Sequence, residues 1–153
     1  MKQAENASQK MDKELNFAVQ LNWLEKSKGV LSADDVDNSL IVATPSVFGG
    51  EGHDWSPEHM FLGSISSCYM STFMVFAKKL QIVVEKLECE TTGVVEFVNG
   101  SYQFTKIEVY PRIYVNQKWE EKANIAMNKT QKHCLISHSI KCPVEYFSKI
   151  IFI

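Results

Sequence analysis

Ser56-Pro57-Glu58-His59-Met60-Phe61-Leu62-Gly63-Ser64-Ile65-Ser66-Ser67-Cys68-Tyr69-Met70-Ser71-Thr72-Phe73-Met74-Val75-Phe76-Ala77-Lys78-Lys79 reads as one long helix. Ser56 suits the cap, Pro57 the first helical position, where its missing N–H is no loss, and Glu58 the positive end of the helix dipole. Lys78 and Lys79 suit the other end. The apolar residues between them leave little polar face, the mark of a helix covered on most sides. Gly63, Ser64, Ser66, Ser67 and Ser71 are small enough for another helix to approach closely. The sheets of one small protomer offer limited cover, so this helix favours a dimer in which two copies of it pack together.

Working outward, the segments on either side alternate as strands do. Leu15, Phe17, Val19, Leu21 and Trp23 interleave with polar residues and predict a half-buried strand. Val30-Leu31 and Ser39 to Thr44 predict two more, with turns at 25–29 and 34–38. Residues 45–55, with three glycines, deliver the chain to the helix. Beyond it, 81–97 and 102–115 flank Asn99-Gly100, a hairpin signal. Pro111 cannot donate to a ladder, which predicts an edge or a bulge there. Asn116 suits the cap of a second helix over 118–132, whose Trp119, Ala123, Ala126 and Met127 follow helical spacing. Residues 144–153 close the chain as a strand. The order predicts an α+β fold with segregated antiparallel sheets, a flexible N-terminal tail over residues 1–13 and a single domain over 14–153.

Composition narrows the partners. Forty-five per cent hydrophobic residues is enough for a core, and a net charge of −2 without a basic cluster gives no footprint for nucleic acid. The N-terminus lacks an apolar signal core, and no window reads as the roughly 18 apolar, uncharged residues of a bilayer span. A cytoplasmic protein without membrane contact is expected.

The chemistry-bearing residues are the cysteines. Cys68 lies mid-helix, where the dipole offers almost nothing to a thiolate and burial raises the pKa, so reactivity requires a cation or a hydrogen-bond donor from elsewhere in the fold. Without one, Cys68 is a packing residue. Glu58 stands ten residues earlier, about 15 Å along a straight helix, so it reaches Cys68 only through a bridging side chain or a partner chain. A second thiol could resolve a sulfenic acid formed on Cys68. Cys134 and Cys142 both qualify by position, and Cys89 sits in a strand pattern that reads as core. His53, His59, His133 and His138 form no metal-binding spacing, and no GxSxG elbow is present, so neither a metal nor a cofactor is expected.

The Pro57-Glu58 helix start, Cys68 ten residues after the Glu, the helix end Ala77-Lys78-Lys79-Leu80-Gln81-Ile82 and the late Cys134-Leu135-Ile136-Ser137-His138-Ser139-Ile140 together resemble the OsmC/Ohr family, from about Leu15 to the C-terminus. The resemblance implies an intertwined homodimer with sheets wrapped around central helices. It implies that Cys68 attacks the O–O bond of an organic hydroperoxide, that Cys134 then forms the disulfide, and that an external thiol or dithiol reductant restores both. It assigns Glu58 to orienting a catalytic arginine. The chain departs from that pattern in two places. Its only arginine, Arg112, falls in the late hairpin rather than the N-terminal region, leaving Lys26 and Lys28 as substitutes. The family's Cys-Pro-Val is changed at the second cysteine to Cys134-Leu135-Ile136, while Cys142-Pro143-Val144 has the tripeptide but lies in the wrong place for the downstream pattern. The alternative is therefore an OsmC-like dimer that binds a small apolar or thiol-containing metabolite without efficient peroxidase activity.

Overall fold

The protein is described here by a computed structural model covering residues 14–153; the expected tail over 1–13 lies outside the described residues. The chain divides into two compact units, one ending at Ser56 and one running from Pro57 to Ile153. The first is an antiparallel meander of β1 (Gln20–Glu25), β2 (Lys28–Ala33) and β3 (Val36–Ala43). β1 begins at Gln20 rather than Leu15 and is exposed along its whole length, so the half-buried face that the alternation predicts is uncovered among the described residues. The Asp34–Asp35 turn is shorter than the sequence suggests, because Val36 already pairs with Ala33. Ala43 N–H donates to the Trp55 carbonyl at 2.9 Å and ties the glycine-rich loop back to β3.

The second unit begins with the helix on which the sequence reading turned, α1 (Pro57–Lys79), and continues through β4 (Val84–Val98), β5 (Ser101–Val115), α2 (Glu120–His133), α3 (Leu135–His138), β6 (Val144–Tyr146) and β7 (Lys149–Phe152). Asn99 and Gly100 adopt φ of 51° and 86°, the left-handed pair that a tight hairpin requires. Asn116 Oδ1 accepts from Lys118 N–H at 3.2 Å at the head of the turn leading into α2. Two expectations are corrected. β5 is a central strand, with β4 on one side and β6 and β7 on the other, and Pro111 sits at neither an edge nor a β4–β5 bulge. It lies opposite the interruption between β6, which pairs as far as Val109, and β7, which starts opposite Arg112; a residue without an N–H is tolerated there. The closing segment is therefore two short strands, and both run parallel to β5, so this sheet is mixed.

Ile65, Tyr69, Phe73 and Ala77 recur at four-residue intervals and form the one fully buried stripe of α1. Tyr69, Phe73 and Ala77 pack with Ile113, Val115, Ala123, Ala126 and Met127, and Ile65 packs with Ile107 and Val109. Cys89 and Tyr146 touch both clusters. Each large apolar side chain buried this way contributes about 1.5–3 kcal/mol. Gly93 on β4 is needed for this approach, since a Cβ there would stand 2.6 Å from the Phe104 ring and 2.9 Å from Leu62.

The opposite face of α1, with Met70, Met74 and Val75, remains exposed, so within one chain the helix is covered on one side and not on most. The expectation that no segment is long and apolar enough to span a bilayer is also corrected: by length and composition α1 is, because it carries no Asp, Glu, Lys or Arg between Glu58 and Lys78. Its buried stripe, packed on α2 and the sheet, is the setting of a core helix.

Candidate functional site

Where α2 meets α3 the chain breaks step at Cys134. Its N–H donates to the Thr130 carbonyl at 2.9 Å and ends α2, while its carbonyl accepts from His138 N–H at 3.2 Å and starts α3. Between those two bonds Cys134 is extended, with φ −68° and ψ 103°. A helix start leaves its first N–H groups without intrahelical acceptors. Here those of Leu135 and Ile136 come near enough to the thiol of Cys68 to favour its charged form. α1 packs directly against α3, and Cys68 lies on its flank between the buried stripe and the exposed face.

Burial acts against a thiolate at Cys68, yet its pKa is lowered. The Ile136 N–H, the Cys134 thiol, the Thr72 hydroxyl 4.0 Å from Sγ and the Leu135 N–H all favour its charged form and together outweigh the loss of water. Cys134 is fully buried and is pushed the other way: burial raises its pKa, the Ser137 hydroxyl and N–H lower it, and the neighbouring Cys68 raises it. The pair therefore releases its first proton from Cys68, and Cys134 keeps its own as a donor.

Of the residues singled out from sequence, Cys68 and Cys134 are brought together. Glu58 is not among the groups acting on Cys68: it stays in the first turn of α1, with Oε2 buried and without a hydrogen-bond partner among the described residues. Arg112 pairs with Glu88, Nε to Oε2 at 3.2 Å, on the exposed side of the hairpin. Lys26 and Lys28 pair within their own unit, with Glu51 at 2.7 Å and Asp54 at 2.9 Å. Of the cation or hydrogen-bond donor that the sequence requires for a reactive Cys68, neutral donors are what act on it. Cys142 packs beside Ile65, Ile107 and Val109. Cys89 is held above its ordinary pKa by burial, against hydrogen bonds from Ser66 and Thr91. Among the described residues no cluster of His, Cys, Asp and Glu is placed to hold a metal.

Sequence reasoning missed Thr72, the two amides, Ser137 and Tyr146. Thr72 is recoverable as the residue one turn after Cys68, and Ser137 as a hydroxyl three residues after Cys134. Tyr146 arrives from a separate strand and leaves no local signal. Beside Thr72 an open groove of about 580 Å³ is lined by Ser71, Val75, Phe76, Lys79 and His133.

A family model described as OsmC-like protein matches residues 50–146. The chain is 23% identical over 134 residues to Uncharacterized protein YmaD of Bacillus subtilis (strain 168), covering 85% of this chain and 89% of that protein. Among solved structures it resembles an OsmC-like protein from Mycoplasma pneumoniae, with TM-score 0.76 and 14% identity, covering 90% of this chain and 99% of the other. It also resembles an organic hydroperoxide resistance protein from Elizabethkingia anophelis, with TM-score 0.72 and 17% identity, covering 93% and 99%.

One substitution isolates an amide. Proline is favoured at the first position of a helix, and Cys134, already extended, is a suitable preceding residue. Leu135→Pro therefore removes one donor from Cys68 while keeping the backbone path. Alkylation of Cys68 at neutral pH is expected to slow by about tenfold, the loss of one hydrogen bond to a charged group. An unchanged rate, read by mass spectrometry of the Cys68 peptide, would remove that amide from the site.

Proposed function

Because the chain belongs to the OsmC-like protein family, we propose that it reduces organic hydroperoxides through Cys68, with Cys134 as the resolving thiol. The observation that carries this reading is the convergence of two backbone N–H groups, the Thr72 hydroxyl and the Cys134 thiol on Cys68. A thiol whose pKa is lowered supplies more of the thiolate, the nucleophile that the reaction needs.

The Cys68 thiolate attacks the distal oxygen of the hydroperoxide. An S–O bond forms, the O–O bond breaks, and the alkoxide leaves and takes a proton to become the alcohol. Cys68 is then a sulfenic acid. Cys134 attacks its sulfur, the S–S bond forms, and the departing hydroxide with the Cys134 proton leaves as water. An external dithiol returns both cysteines to thiols and is itself oxidised to a disulfide. The groove beside Thr72, with Val75 and Phe76 in its wall, suits the apolar body of such a substrate.

We extend the reading to the assembly. The exposed Met70, Met74 and Val75 on α1 and the uncovered apolar residues of β1 are surfaces that a second copy of this chain would bury. Glu58, whose Oε2 lacks a partner among the described residues, is then the acceptor available to a cation brought by that copy or by the substrate. The second reading, a dimer that binds a metabolite without peroxidase turnover, is favoured by one observation: the chain's single arginine is engaged by Glu88.

Rapid mixing with cumene hydroperoxide separates the two. The peroxidase reading expects hydroperoxide loss that Cys68→Ser abolishes, and a Cys68–Cys134 disulfide that Cys134→Ser replaces with a trappable sulfenic acid. Consumption that survives Cys68→Ser removes it, and the absence of consumption by the parent protein leaves the binding reading. For the assembly, light scattering is expected to give twice the chain mass, with Met74→Lys shifting it towards one chain. A single-chain mass for the parent protein at micromolar concentration would contradict the dimer.

A further inference from the structure

The resolving step of such a cycle asks more of Cys134 than proximity. Cys134 is buried, its pKa is raised by that burial, and it must nonetheless act as a thiolate when it meets an oxidised Cys68. The geometry points to Ser137 and Tyr146 as a hydroxyl relay that positions Cys134 and stabilises it as a thiolate during disulfide formation. This rests on the peroxidase reading for its reaction, though not for its geometry.

The direction of the relay follows from counting hydrogens. Ser137 has one hydroxyl hydrogen, and Ser137 Oγ donates it to Cys134 Sγ at 3.1 Å. The 2.5 Å contact between Ser137 Oγ and Tyr146 Oη is then made by the Tyr146 hydrogen. Tyr146 keeps that hydrogen, since burial pushes its phenol up to about 12. With Ser137 donating to Cys134, the hydroxyl hydrogens run from Tyr146 to Ser137 and from Ser137 to Cys134, and Tyr146 also acts on Cys134 directly.

Both hydroxyls are fixed by the fold. Ser137 lies in the single turn that follows the break at Cys134, and its own N–H also points back at Cys134. Tyr146 ends β6 opposite Val109, with its ring 5.8 Å from that of Tyr69. The titratable groups facing Cys134 are Cys68 and Tyr69 from α1, Cys89 from β4 and Tyr146 from β6. No charged side chain is among the groups acting on Cys134, so a negative charge on that sulfur is met by these hydroxyls. Before it attacks, Cys134 gives up its proton, and the Ser137 and Tyr146 hydrogens stabilise the thiolate that remains; as the S–S bond forms, that charge passes to the departing hydroxide, which leaves with the proton as water. Ser137 and Tyr146 are positioning residues: they act through Cys134 and exchange no atoms with the substrate.

The test uses the reduced full chain mixed rapidly with cumene hydroperoxide, following hydroperoxide loss and disulfide formation separately. Ser137→Ala is expected to leave the first phase within about twofold and to slow the second by about tenfold, the loss of one hydrogen bond to a thiolate. The pH midpoint of the second phase should move upward. Tyr146→Phe is expected to slow the same phase by a smaller factor, and Ser137→Thr to restore it. An unchanged rate and midpoint of disulfide formation in both Ser137→Ala and Tyr146→Phe overturns the relay. If the parent protein consumes no hydroperoxide, the peroxidase reading fails by itself, and the relay is judged from the ultraviolet absorbance of the thiolate in protein carrying Cys68→Ser, Cys89→Ala and Cys142→Ala. There Cys134 is the remaining thiol; a higher titration midpoint on adding Ser137→Ala supports the relay, and an unchanged midpoint overturns it.

Discussion

Four neutral donors meet at the Cys68 sulfur, and the rest of the site depends on them. Burial alone would keep that thiol protonated, and the middle of α1 offers no help from the helix dipole. The amides of Leu135 and Ile136, with the Cys134 thiol and the Thr72 hydroxyl, reverse the balance without a charged side chain. Fixed backbone N–H groups suit this role because their orientation is set by the fold and needs no reorganisation when charge appears. These groups lower Cys68 while burial raises Cys134, so that the two cysteines are separated and Cys68 gives up its proton first.

This arrangement exists because two helical segments fail to become one. Had α2 continued past Cys134, the N–H groups of Leu135 and Ile136 would be engaged by carbonyls one turn back. The extended ψ of Cys134 frees them. A proline after Cys134, as in the Cys-Pro-Val pattern the sequence departs from, would carry no N–H. Leucine at that position supplies a donor, in a chain whose single arginine is engaged elsewhere.

Much of the frame was legible because it follows from local chemistry. The bounds of α1 were set by Pro57 and by the paired lysines, the hairpin by Asn99-Gly100, and the entry to α2 by Asn116. Pro111 misled because its tolerance comes from a gap between β6 and β7, two strands remote in sequence. The length of β1 misled because its alternation continues into residues that pair with nothing in β2. The two cysteines could be named, but not the groups that act on them. Amides have no side chain to recognise, and Tyr146 reaches Ser137 through a parallel strand pairing that no local pattern encodes. Of the two kinds of help that a mid-helix thiolate requires, a cation or a hydrogen-bond donor, the fold provides the second.

The donor set at Cys68 is tested most directly by titrating that one thiol in the reduced protein, following the rate of its alkylation against pH by mass spectrometry. The expected midpoint lies below that of the same cysteine in the denatured chain, about 8.5. A midpoint at or above the denatured value would mean that burial outweighs the four donors, and would contradict the description of Cys68 as an activated thiol.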